Sequence, residues 1–239
     1  MNIRGIILAG GNGERLKPLT NLTPKALLPV GDKPMVAYQI QKMQEIGITE
    51  IAIVRQGSFD SAFRKAIGNT SLNISYVDHP NISKGMPYAI ALAKFCDDRQ
   101  SAICVLCADV LFDDSLEIAR HAFEADPQRA VIIAGETDDT AGFSPIKSVN
   151  DNVVSILPKD ASRHEPGIVD LGAGLYPSDV FEKAQSLYPS ETEVPITKLN
   201  NMYLSESRLR ATTLRGYWVD AGSSIEVYNS VVMKYVKSS

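Results

Sequence analysis

The sequence predicts an α/β fold: a doubly wound, mostly parallel Rossmann-like sheet flanked by helices, with a small β-rich lid. Residues 3–9 and 102–108 are continuous apolar runs, as expected for strands buried on both faces of a sheet. Segments with apolar residues at helical spacing lie between such runs. This alternation of strand and helix is typical of parallel sheets with right-handed crossovers.

The first half of the chain predicts four strands and the helices between them. Strand 3–9 is followed by a loop and by a helix that Pro34 begins, Asp32 caps and Gly47 ends. The other expected elements are strands 51–54, 72–77 and 102–108, and helices 58–67 and 88–95. Asp109 ends the fourth strand, and it faces the loop after the first strand if these two strands are neighbours.

The second half of the sequence predicts a larger share of strands than the first half. A helix at 115–125 and a strand at 130–134 continue the sheet, and residues 143–149 and 153–158 predict a hairpin around Asn150, Asp151 and Asn152. The remaining expected elements are strands 168–176 and 209–213, and helices at 177–186, 195–204 and 223–236.

The composition excludes several classes of protein. The chain has 239 residues and a formal net charge of −4, which argues against non-specific nucleic-acid binding. No stretch approaches 18 apolar residues and the N-terminus lacks a signal-peptide pattern, so we expect a cytoplasmic protein without a membrane partner. Cys104 and Cys107 stand three apart within an apolar strand, which predicts buried thiols on opposite faces and not a redox pair. The histidines lack metal-ligand spacing, so any metal should be a hard one on carboxylates.

Three glycines stand directly after the first strand, at Gly10, Gly11 and Gly13. Backbone amides in such a turn form a concavity that binds anions, and cations follow in the same segment. A P-loop motif is absent, and the dinucleotide motif GxGxxG fails because Leu16 takes the place of its third glycine. The pattern predicts a polyphosphate site, with a tight turn among solvated cations as the alternative.

The segment GGNGERLKPLTNLTPKALLPVGDKP resembles the opening signature of the sugar-1-phosphate nucleotidylyltransferases, GGxGxRLxPLTxxxPKxLLPVxxKP. Every fixed position of that signature is present, and later segments extend the resemblance through nearly the whole chain. Among these enzymes the chain is most similar to the short glucose-1-phosphate thymidylyltransferases.

The resemblance implies roles for residues of the first half and of the late motif. Arg15 and Lys25 would act as catalytic cations on the phosphates, and Asp109 and Asp220 as carboxylates that hold Mg²⁺. Asp220 belongs to GYWVDAGS, which resembles a late W-x-D-x-G motif, while Ala108 replaces the glycine that precedes the first aspartate in the family. The implied nucleotide-binding residues are Leu8, Ala9, Gly10, Gly11, Gly13, Gly85 and Asp109.

The resemblance also implies a sugar-phosphate site made of Lys159, Gly174 and Tyr176. Lys159 aligns with the lysine of an E-K-P motif, but Pro158 and Asp160 replace its neighbours. A surface lysine and an ordinary strand-end tyrosine are the alternatives for Lys159 and Tyr176.

The expected reaction is Mg²⁺-dependent nucleotidyl transfer from a nucleoside triphosphate, dTTP or UTP, to a hexose 1-phosphate, with release of pyrophosphate. A non-catalytic regulatory or binding relative of the same fold is the alternative, and a dehydrogenase is disfavoured by the failed glycine motif. We expect one domain over residues 1–239, with a nucleotide-binding core at 1–135, a sugar-binding portion at 136–215, and the metal motif with the last helix at 216–239. The resemblance also implies a homo-oligomer.

Overall fold

The computed structural model describes residues 1–94, 100–188 and 192–237. Its strands are β1 (Ile3–Leu8), β2 (Pro29–Val30), β3 (Lys33–Pro34), β4 (Glu50–Arg55), β5 (Asn73–Asp78), β6 (Ala102–Cys107), β7 (Val110–Phe112), β8 (Ala130–Thr137), β9 (Ser144–Val149), β10 (Asn152–Ile156), β11 (Gly167–Tyr176), β12 (Leu209–Thr213) and β13 (Trp218–Asp220). Its α-helices are α1 (Met35–Glu45), α2 (Asp60–Ile67), α3 (Met86–Leu92), α4 (Glu117–Glu124), α5 (Val180–Ser186), α6 (Ile196–Ser205) and α7 (Ile225–Lys237).

Nine of these strands form one mixed sheet in the order β5-β4-β1-β6-β11-β8-β12-β10-β9. β1 pairs in parallel with β4 on one side and with β6 on the other, and β4 pairs in parallel with β5. The first and fourth expected strands are therefore neighbours, and the α/β class is confirmed. Because parallel neighbours end at the same edge, the loops after β1 and β6 lie side by side.

The second half joins the sheet in an order that differs from the chain order. β11 lies antiparallel between β6 and β8, so the strand expected to continue the sheet after β6 is displaced by one place. An apolar run is compatible with any central position, which is why its spacing does not specify its neighbour. The predicted hairpin is confirmed as β9 and β10, with Asn150 and Asp151 at positive φ in its turn. It forms the far edge of the same sheet.

Helices cover both faces of the sheet, as a doubly wound fold requires. Ile7 of β1 is fully buried with Met43 of α1, Phe63 of α2 and Phe123 of α4. The preceding Ile6 is fully buried on the opposite face, against residues of α3, α5 and α6. β1 is therefore enclosed from both sides, and the loop that follows it starts from a rigid position.

Helix boundaries differ from expectation by up to three residues, and α1 and α3 are examples. α1 begins at Met35 without a side-chain cap, because Asp32 lies in the turn between β2 and β3. α3 begins at Met86, two residues early, while position 95 of the expected helix lies outside the described residues. Within the described ranges, none of the helices combines the length and the apolar character that crossing a bilayer requires.

Ile7→Ala is expected to lower the free energy of unfolding by about 2–5 kcal/mol, because it leaves a cavity at a fully buried position between two layers. Ile118→Ala is the matched control, since Ile118 is 43% exposed on α4 and its loss should change stability by about 0.5 kcal/mol or less. Urea unfolding of both variants measures the difference. Equal effects would contradict the two-sided burial of β1.

Candidate functional site

The glycine loop after β1 is held in one shape by local contacts. Ala9 donates its N–H to the carbonyl of Val54 (2.8 Å), which extends the strand pairing by one residue. Gly13 has φ 63°, and a Cβ there would stand 2.6 Å from Cγ2 of Thr20, whose hydroxyl donates to the Gly13 carbonyl (2.8 Å). Both the backbone conformation and the close neighbour require glycine at position 13.

A cleft of about 320 Å³ opens beyond the carboxyl ends of β1 and β6. This volume is at the lower end of the range for small-molecule sites. Of the residues expected to bind nucleotide, those that line the cleft are Leu8, Ala9, Gly10, Gly11, Gly85 and Asp109. Arg15, Lys25, Lys159 and Asp220 also line it, whereas Gly13 shapes the loop from outside the lining.

Lys25 and Asp109 form an ion pair at the end of this cleft. The ammonium of Lys25 donates to Oδ2 of Asp109, and both side chains are largely buried. Lys25 begins a short 3-10 turn after Pro24, and Asp109 stands two residues after the end of β6, which pairs with β1. The pair therefore joins the loop that starts at the glycines to the neighbouring strand of the sheet.

Asp220 reaches the same place through a two-stranded ribbon outside the main sheet. β13 pairs antiparallel with β7, and Asp220 stands opposite Val110. The N–H of Ala221 donates to the carbonyl of Asp109 (2.9 Å), which locks the late segment beside the earlier one. Arg15 approaches from the glycine loop, with 3.9 Å between its guanidinium nitrogen and Oδ2 of Asp220, and its side chain remains 64% exposed.

The three buried groups shift one another's pKa values. Burial raises the pKa of Asp220 to about 6, and the neighbouring charge of Asp109 adds to the rise. For Asp109, burial alone would raise the pKa, but the charge and hydrogen bond of Lys25 outweigh it and the pKa is lowered. For Lys25, burial alone would lower the pKa, yet Asp109 and then Asp220 hold it above the usual value. The cluster thus has two carboxylates to one buried ammonium.

This donor set fits Mg²⁺. Mg²⁺ takes oxygen ligands and is usually held by one or two carboxylates together with substrate phosphates and water. Asp109 and Asp220 supply two carboxylates in a cleft that has room for phosphates. Within the described ranges, no group of three or more histidine, cysteine, aspartate or glutamate side chains is placed to hold a metal ion.

Gly85 has a steric reason to be glycine. Its φ is 87°, and a Cβ would overlap the carbonyl of Val194. The N–H of Val194 also donates to the carbonyl of Lys84 (3.1 Å), so the start of α3 and the segment before α6 lie in direct contact. Gly85 lets these two backbones close one side of the cleft.

Two residues expected at the sugar phosphate lie elsewhere. Gly174 is paired in the middle of the sheet, between Val105 and Ile132. Tyr176 is fully buried and its hydroxyl donates to Oδ1 of Asn200 (3.0 Å). Both residues belong to β11, where a bulge between Asp170 and Ala173 turns Gly172, at φ 69°, toward the cleft.

The cleft also contains residues that sequence reasoning missed. His79 follows β5 beside Gly10, where a Cβ would stand 3.1 Å from Cδ2 of the imidazole. Phe143 and Trp218 meet edge to face, with 5.6 Å between their ring centroids. Ser144 and Asp170 line the cleft as well. Asp170 had a sequence signal, because a carboxylate inside the otherwise apolar strand 168–176 requires a polar partner.

Comparisons with known proteins agree with this architecture. Residues 4–237 match the family model described as Nucleotidyl transferase. A glucose-1-phosphate thymidylyltransferase of Neisseria meningitidis is 30% identical over 92% of this chain and 78% of its own length, and one of an Actinoplanes species is 31% identical over 96% and 77%. A Bacillus anthracis protein, assigned as a candidate glucose-1-phosphate thymidylyltransferase and solved with sucrose, superposes with a TM-score of 0.90 at 27% identity, covering 98% of this chain and 95% of its own.

Gly222→Ala is expected to lower the free energy of unfolding by about 1–3 kcal/mol, because the added methyl group would overlap the Asp109 carboxylate and stand 2.6 Å from Nζ of Lys25. Gly11→Ala is the matched control: its Cβ would lie 3.9 Å from the same ammonium, an ordinary contact, and the change should stay within about 0.5 kcal/mol. Chemical denaturation compares the two. Equal stability of both variants would show that Gly222 is not needed for the close approach.

Proposed function

Because the chain belongs to the nucleotidyl transferase family, as a sugar-1-phosphate nucleotidylyltransferase, we propose that its cleft joins dTTP or UTP to a hexose 1-phosphate in a Mg²⁺-dependent reaction. The products would be a nucleotide-sugar and pyrophosphate, which is a step of nucleotide-sugar biosynthesis. The observation that carries the proposal is the meeting of Lys25, Asp109 and Asp220, from three distant segments, at the end of β1 and β6.

The reaction makes one phosphate attack another. An oxygen of the sugar phosphate forms a bond to the α-phosphorus of the triphosphate, and the bond from that phosphorus to the bridging oxygen breaks. The electron pair leaves with pyrophosphate. The nucleophile is already an anion, so no side chain has to remove a proton. The barrier comes from repulsion between two anions, and positioned positive charge lowers it.

Lys25 is placed to supply that charge. An ammonium has three donors, and one of them is engaged by Asp109. The side chain lines the cleft, so the remaining donors are available to phosphate oxygens. Asp109 then has a positioning role as well, because its ion pair fixes where the ammonium points.

Other groups in the cleft would each bind a different phosphate. The amides after β1, at Gly10 and Gly11, line the cleft and suit an anion. The exposed guanidinium of Arg15 suits two-point contact with the leaving pyrophosphate. Lys159 also lines the cleft and suits the phosphate of the sugar. When bound by Asp109 and Asp220, Mg²⁺ would supply charge neutralisation and alignment of the phosphates.

Lys25→Ala is expected to lower turnover by roughly 10²–10³, the scale for loss of one preorganised charged partner. The assay is pyrophosphate release, first screened with each nucleoside triphosphate against a panel of sugar 1-phosphates with Mg²⁺. Lys65→Ala, on the exposed side of α2, is the matched control and should keep full turnover. Wild-type turnover in Lys25→Ala would reject the assignment, and no product from any substrate pair would reject the proposed reaction.

Asp109→Asn is expected to abolish Mg²⁺-dependent activity, because it removes a carboxylate ligand and the anchor of Lys25 together. The measurement is pyrophosphate release across a Mg²⁺ titration, with the melting temperature as a check of folding. Asp114→Asn is the control, since the Asp114 carboxylate accepts bonds from the N–H groups of Arg215 and Gly216 outside the cleft. An unchanged Mg²⁺ titration curve in Asp109→Asn would remove the metal role from this residue.

A further inference from the structure

The wall of the cleft contains a buried hydroxyl that lacks a hydrogen-bond partner among the described residues. Ser144 begins β9, lines the cleft and is 2% exposed. Among the described residues, nothing forms a hydrogen bond with its Oγ. Buried polar atoms are almost always bonded in folded proteins, so such an exception needs an explanation. Rotation about χ1 moves a serine Oγ between three staggered positions, and one partner for it would be a ligand in the cleft.

A buried carboxylate stands directly opposite this hydroxyl. Asp170 of β11 is paired in register with Ser144 of β9, so both side chains are on one face of the sheet. Asp170 also lines the cleft and is 6% exposed. The two residues therefore form a polar pair on an otherwise apolar strand face.

The internal contacts of Asp170 leave part of its capacity unused. Its Oδ1 accepts from the N–H of Gly172 (2.8 Å) and its Oδ2 from Nδ2 of Asn200 (2.7 Å). Asn200 is held in turn by the hydroxyl of Tyr176. A carboxylate can accept about four hydrogen bonds, so two acceptor positions remain. Burial raises the pKa of Asp170 to about 6, partly offset by the bonds from Gly172 and Asn200, which agrees with a carboxylate short of donors.

The segment around Lys159 does not provide a competing acceptor. Pro158 has no polar side-chain atom. Oδ1 of Asp160 is already bonded to the N–H (2.9 Å) and the hydroxyl (2.6 Å) of Ser162, and Asp160 is not part of the cleft lining. Glu193 also lines the cleft, but it is exposed, so Asp170 on β11 is the buried carboxylate of this part of the lining.

We propose that Asp170 and Ser144 bind hydroxyl groups of the sugar ring and thereby select which hexose 1-phosphate the enzyme accepts. The inference rests on the proposed function. A carboxylate accepts hydrogen bonds and repels negative charge, so the pair fits a neutral hexose with free hydroxyls. It disfavours a deoxy sugar at the contacted position and a sugar that presents a carboxylate there.

Two variants test the pair with the best nucleoside triphosphate and hexose 1-phosphate from the pyrophosphate-release screen. Asp170→Asn keeps the shape of the side chain. It can also keep the hydrogen bonds to Gly172 and Asn200 if the side-chain amide of Asn200 flips, so that its oxygen and nitrogen exchange places. We expect it to raise KM for the hexose 1-phosphate by roughly ten- to a hundredfold, the scale for a hydrogen bond to a charged group, with KM for the triphosphate within about twofold.

Ser144→Ala distinguishes a role of this hydroxyl in ligand binding from a role in the stability of the fold. Because Oγ has no hydrogen-bond partner among the described residues, its removal should not lower the melting temperature, while KM for the hexose 1-phosphate rises about three- to tenfold. Ser148→Ala is the matched control, an exposed serine on the same strand, and should change neither quantity. In wild type, one monodeoxy analogue of the hexose 1-phosphate should be a poor substrate, and Asp170→Asn should add no further loss with that analogue.

Unchanged KM for the hexose 1-phosphate in both variants, with normal turnover of the wild-type enzyme, would overturn this inference alone. If Asp170→Asn does not fold, the result with Ser144→Ala decides. No turnover by the wild-type enzyme with any pair would overturn the proposed function and this inference with it.

Discussion

The contact between Lys25, Asp109 and Asp220 is the constraint on which the rest of the structure depends. Two buried carboxylates repel each other, and one ammonium offsets only part of their charge. Such a cluster persists only where the backbone holds it in place, and three devices do so. They are the parallel pair β1–β6, the ribbon β7–β13 and the short turn that begins at Lys25.

The mixed sheet arranges the cleft in two parts. Strands of the parallel half end at the glycine loop and at Asp109, where backbone amides and cations are concentrated. The antiparallel strand β11, inserted next to β6, carries a bulge that turns Gly172 and Asp170 toward the same space. The two parts of the cleft thus belong to one sheet, and a single core positions the residues of both.

The sequence predicts most of the strands and helices, but it predicts only some of the contacts between them. Continuous apolar runs identify β1 and β6, and spacing identifies the hairpin β9–β10. The resemblance in the opening segment led to Lys25, and the end of the fourth apolar strand led to Asp109; the structure brings the two into contact. Periodicity does not report strand order, so the insertion of β11 was missed, and a bulge shifts the cleft-facing residue from Gly174 to Gly172. Ser144 gave no signal, because a serine at the start of a strand is ordinary until its partner is sought in three dimensions.

The ribbon β7–β13 brings Asp220 to the cleft independently of the main sheet. Lys25 and Asp109 are placed by the segments that follow β1 and β6, whereas Asp220 is placed by the pairing of β13 with β7. A substitution that weakens this ribbon would therefore displace the Asp220 carboxylate while the nine-stranded sheet keeps its pairing. Damage at the ribbon can thus remove one carboxylate from the cleft without unfolding the body of the molecule.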